Sequence, residues 1–100
     1  MLRSDILDEA KIIITGERQK AYGPAKGNFQ KIASLWSVYL GRVVDVNDVA
    51  NMMILLKVAR SLGPSWKDDN YIDICGYAAL AGEMVGANEE CCEACEVNYD

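Results

Sequence analysis

The sequence predicts an all-α fold, a compact four-helix bundle, and three observations carry that expectation. The run Val49-Ala-Asn-Met-Met-Ile-Leu-Leu-Lys57-Val-Ala-Arg60 is apolar on nearly every side. A run of that kind reads as a central helix buried from several directions, since a surface helix shows one apolar stripe. It is too short to span a membrane, which takes about 20 apolar residues. On either side of it, apolar residues recur at helical spacing. Between these segments stand Gly, Pro and capping residues of the kind that start and stop helices.

The first helix covers roughly Ser4 to Thr15, with Ser4 as N-cap and Ile6, Leu7, Ala10, Ile13 and Ile14 as its core face. The second runs from about Ala25 to Leu40 and carries Phe29, Ile32, Leu35, Trp36, Tyr39 and Leu40 at helical spacing. The third runs from Val46 to Leu62. Asp45 or Asn47 is its N-cap, Asp48 stands in the acid-favouring first turn, and Gly63-Pro64 stops it. The fourth begins behind Ser65-Trp-Lys-Asp68, a capping-box pattern with Asp for Glu, and extends to about Val85. Residues 1–86 then form a single helical domain, followed by an acidic, cysteine-containing tail over 87–100.

Composition narrows the function. The 100 residues are 51% hydrophobic with a net charge of −5. A chain this short buries a limited fraction of its surface, so the surplus apolar area points to a homo-oligomer interface. The acidic balance argues against a nucleic-acid polymer as partner, which would require a basic face. The N-terminus lacks the apolar core of a signal peptide, so a cytoplasmic location with reduced thiols is expected. There is no histidine, which removes the commonest general base and transition-metal ligand. Cys91, Cys92 and Cys95 fall short of the four ligands of a structural zinc site. Their acidic surroundings also argue against a reactive thiolate.

Lysine and arginine in an apolar helix need anions. Lys57 and Arg60, three apart, lie near each other on one helical face. A short connection makes the third and fourth helices antiparallel neighbours, which brings Arg60 toward Asp69 and Lys57 toward Asp73. Interhelical ion pairs are one reading of these four residues; a phosphate-bearing ligand is the other. The segment Glu17–Asn28 is the most basic of the chain, with Arg18, Lys20 and Lys26 around Gly23-Pro24 and Gly27. It leads into a helix N-terminus, a favourable setting for phosphate, although neither the Walker A nor the dinucleotide spacing is present. In the ligand reading Arg18, Lys57 and Arg60 neutralise phosphate. Tyr22, Trp36 or Tyr77 stacks a base, and Asn28, Asp69 or Asn70 reads base or ribose edges.

The order Arg18…Tyr22-Gly23…Asn28-Phe29…Leu35-Trp36…Asp48-Val-Ala…Met52-Met-Ile-Leu-Leu-Lys57-Val-Ala-Arg60…Asp69…Asp73-Ile-Cys-Gly-Tyr77-Ala-Ala, from about Ile6 to Met84, resembles a family of small phage and prophage proteins without a settled function. That family is in turn distantly similar to the all-α MazG-like nucleotide pyrophosphohydrolases. The resemblance implies an oligomeric α bundle with nucleotide phosphates and Mg²⁺ held between helices. The pyrophosphohydrolases carry an E-x-x-E pair and an E-x-x-D pair. Here the second helix has no carboxylate between Phe29 and Leu40, and Lys57 and Arg60 stand where acids would serve a metal. Only Asp69 and Asp73, with Asp48 at the start of the third helix, remain for Mg²⁺.

Three functions follow. The first is a protein that binds a nucleotide or cyclic dinucleotide without turnover and with no cofactor, in the manner of a phage sponge that sequesters immune signals in the host cytoplasm. The second is a Mg²⁺-dependent pyrophosphohydrolase with Asp69 and Asp73 on the metal. The third is a structural helical oligomer. The first is the expectation taken forward.

Overall fold

A computed structural model describes residues 1–16, 25–63 and 67–89. Among them the chain forms four α-helices and no strand: α1 (Arg3–Thr15), α2 (Ala25–Leu40), α3 (Val46–Ser61) and α4 (Asp68–Glu89). The long α4 packs against α3 and α1, and α2 packs against α3. The core forms where α2, α3 and α4 meet. It comprises Phe29, Ala33, Val44, Val49, Ala50, Ala81 and Met84, with Ile32, Trp36, Met53, Tyr77 and Leu80 packed onto it.

Local chemistry explains the boundaries. Asp45 caps α3: its carboxylate accepts the Asp48 N–H at 2.8 Å, and the Asp48 carboxylate accepts the Asp45 N–H at 3.0 Å. The two acids satisfy each other's orphan donors and complement the helix dipole. α2 ends at Gly41, whose φ of 71° takes the left-handed conformation that terminates helices at little cost to glycine. Beyond it, Ser37 clasps the connection, its hydroxyl donating to the Ala33 carbonyl at 2.7 Å and accepting the Val44 N–H at 2.8 Å. This clasp holds Val44 in the core.

Several expectations are corrected. Ser4 does not cap α1. The N-cap is Leu2, whose N–H donates to the Asp5 carboxylate at 3.0 Å, so an acid in the first turn does the work assigned to a hydroxyl. On α2 the core stripe is Phe29, Ile32, Ala33 and Trp36, while Leu35 and Leu40 are exposed and Tyr39 is 89% exposed. The stripe at 29, 32, 33 and 36 follows the 3–4 spacing of one helical face, and Leu35 and Tyr39 sit off it. Helix α3 is not buried on all sides: Val49 and Ala50 are fully buried, but Leu55, Leu56, Val58 and Arg60 are exposed. α3 ends at Ser61 with Leu62 as C-cap, and α4 runs through Glu89, past the start of the segment read as a tail. The Ser65 capping box and Cys91, Cys92 and Cys95 lie outside the described residues.

Candidate functional site

The helices border an open cavity of about 390 Å³ between α1, α2 and α4. Each wall follows from helical spacing. α1 contributes Ala10, Ile13 and Ile14; α2 contributes Ala25, Asn28, Phe29, Lys31 and Ile32; α4 contributes Ile72, Asp73, Gly76, Tyr77 and Leu80. Positions separated by three and four share a face, so α1 and α4 each turn a single stripe inward. Gly76 makes the α1–α4 approach close, because a Cβ there would meet Ile14 Cγ2 at 3.2 Å. Phe29 and Tyr77 form an aromatic pair in the lining, with ring centroids 6.3 Å apart and planes tilted by 39°, within the usual range of aromatic pairs.

Among the described residues, Asn28, Lys31, Asp73 and Tyr77 break the apolar lining. Asp73 is held from behind by Lys57, with Nζ to Oδ2 at 2.8 Å and side-chain exposures of 14% for the lysine and 26% for the aspartate. The Lys57 charge is thus neutralised within the protein. Lys31 is exposed at the cavity edge, and among the described residues it makes no ion pair. Among the described lining residues it is the cation free to meet an anion.

The structure brings together some of the residues singled out by sequence and separates others. Asn28, Asp73 and Tyr77 line the cavity, and Lys57 supports it through Asp73. Trp36 packs on the core and does not line the cavity. Arg60 and Asp69 are both exposed, and the ion pair expected between them is not among those formed by the described residues. Asn70 is buried at the start of α4, away from the cavity lining. Arg18 and Tyr22 lie outside the described residues. Asp48 is engaged in capping α3. Among the described residues no three acidic or cysteine side chains cluster as a metal site would require. Lys31 escaped sequence reasoning. Its only signal was its place three residues after Asn28 on the same helix.

Residues 5–85 match the family model described as "Domain of unknown function (DUF6378)". The chain belongs to this family. Two relatives extend the match: the Gene 55 protein of Mycobacterium phage D29 is 46% identical over 77 residues, and the Gene 55 protein of Mycobacterium phage L5 is 45% identical over 80 residues. These alignments cover 77% and 79% of the chain but 51% of each relative, so this DUF6378 chain spans about half the length of the phage proteins it matches. No solved structure matches it. No described helix of this DUF6378 chain is long and apolar enough to cross a membrane.

Proposed function

We propose that the protein binds a nucleotide in the cavity between α1, α2 and α4 and holds it without turnover. The observation that carries this reading is the make-up of the cavity: apolar and aromatic walls, broken by Asn28, Asp73 and Tyr77, with Lys31 at the edge, which makes no ion pair among the described residues. Small-molecule sites have this character, and about 390 Å³ lies toward the lower end of their usual span of roughly 300–1,000 Å³. The aromatic pair Phe29–Tyr77 in the lining suits a planar base. Asn28 and Asp73 suit its polar edges, and Lys31 suits a single phosphate group.

The same geometry weighs against a MazG-like pyrophosphohydrolase. Such chemistry needs carboxylates converging on a metal and its activated water. Asp73 is occupied by Lys57, and Asp69 is exposed and outside the cavity lining. The relatives are phage proteins, and the role this reading assigns is sequestration, with a cyclic or linear nucleotide signal as the ligand class.

The test is a thermal-shift series with nucleoside triphosphates and with linear and cyclic dinucleotides, each with and without Mg²⁺, followed by chromatography of the recovered ligand. The reading expects one class to raise Tm and to be recovered intact. A ligand at 100 times its Kd adds about 2.7 kcal/mol of apparent stability, which a small domain registers as several degrees. Recovery of monophosphate and pyrophosphate only with metal would establish the hydrolase instead. A flat response across the panel would leave the Lys57–Asp73 pair as a structural device.

A further inference from the structure

We infer that the outward side of α3 and the α2–α3 connection form a two-fold interface with a second copy of this chain. Asn51, Leu55, Val58 and the C-cap Leu62 follow one another at intervals of four, three and four, which places them along one side of α3 and its end in the spacing of a helix-pairing seam. Leu55 is 64% exposed and Leu62 81% exposed, and Val58 is exposed beside them. This seam faces away from Val49 and Ala50, which are fully buried. Asn51 also lines a shallow groove with Leu40, Arg42, Val43 and Asp48, so the apolar surface continues from α3 onto the connection, where Val43 is 89% exposed.

The charges identify the occupant. An isologous interface must complement itself, because residue i of one copy meets residue j of the other and the reverse. The groove carries one cation, Arg42, and one anion, Asp48. Among the described residues Arg42 makes no ion pair. Asp48 gives Oδ2 to the Asp45 N–H in the α3 cap, and two copies related by a two-fold axis would bring Arg42 to the remaining oxygen of that carboxylate twice, flanking the shared apolar seam. Asn51 supplies a polar position within that seam, the usual device for fixing register. An anionic membrane fits poorly, since the chain carries a net charge of −5 and this surface holds one basic residue.

Sedimentation velocity of the full chain over a dilution series tests the interface. The expected result is a species of twice 11.0 kDa that dissociates on dilution. Leu55→Glu with Leu62→Glu should weaken association at least tenfold, and Arg42→Glu should weaken it and make added salt favour association, because salt then screens a repulsion. Leu7→Glu, at an exposed position on α1, should leave it unchanged. Circular dichroism checks that each variant keeps its helix content. Should the double variant lose helicity, Val43→Glu, which lies outside any helix, decides in its place. A wild-type chain that stays monomeric at its highest soluble concentration overturns the inference. So does a dimer that neither the seam nor the Arg42 variant weakens.

Discussion

Lys57 Nζ on α3 sits 2.8 Å from Asp73 Oδ2 on α4, and Asp73 in turn lines the cavity that Lys57 does not reach. The pair therefore joins two helices and sets the charge of the site at once. The two partners are unequally sheltered, at 14% and 26% side-chain exposure. A charge left alone costs more the less water reaches it.

Asp73→Asn should consequently destabilise the protein more than Lys57→Met. Removing Asp73 strands the more buried ammonium, whereas removing Lys57 leaves a carboxylate that hydrates from the cavity side. For a pair between the exposed and the fully buried regimes, the expected losses are about 1–3 kcal/mol. Urea titration of both variants checks the order; equal losses would mean that Asp73 has no access to water.

Lys31→Ala should leave Tm within about a degree or two of wild type, since surface substitutions away from special features stay within about 0.5 kcal/mol. Ligand affinity should fall about tenfold or more, the value of one hydrogen bond to a charged group at roughly 1.5 kcal/mol. Calorimetry with whichever nucleotide shifts the melt provides the comparison. Unchanged affinity would remove Lys31 from the site.

Gly76→Ala and Gly76→Val should part company. The alanine Cβ meets only the Cγ2 tip of Ile14, at 3.2 Å, and a side chain can yield a few tenths of an ångström. The helix propensity gained over glycine, about 1 kcal/mol, offsets that cost. Valine adds two methyl groups at the same approach and should cost about 1–3 kcal/mol by overpacking. It should also weaken ligand binding, because Gly76 belongs to the cavity wall. Melting curves and binding isotherms of the two variants separate these effects.

Ser37→Ala should cost about 1–3 kcal/mol, the penalty for a buried donor left without its acceptor. The donor is the Val44 N–H, which the Ser37 hydroxyl accepts at 2.8 Å. Hydrogen exchange should show the Val44 amide losing protection ahead of the α3 interior, which distinguishes local release of the connection from global weakening.

The parts of this fold legible in the sequence were those set by nearest neighbours. The Asp45 cap, the span of α2 from Ala25 to Leu40, and the approach of Lys57 to Asp73 across a short link all rest on local chemistry or on loop length. What stayed hidden depends on which neighbour each helix meets. Leu35 and Tyr39 share the helical period of Phe29 and Trp36, and only the position of α3 decides which stripe is covered. The apolar run of α3 suggested burial on all sides, yet Leu55, Leu56 and Val58 are exposed. Arg60 and Asp69 flank the same connection, and both are exposed. Lys31 looked like any solvated lysine, because a cavity edge leaves no trace in local sequence. Asn28, Asp73 and Tyr77 were named for the right helices, and the cavity gathers them.

Phe29 is at once a buried core residue and part of the cavity wall, in ring contact with Tyr77 on α4. A guest molecule in the cavity therefore presses on a side chain whose other surface is packed in the heart of the protein. Occupancy and cooperative unfolding share that ring as a common hinge. Loading the cavity should slow the exchange of deeply protected α2 and α4 amides, and the interior of the protein would then report whether its guest is home.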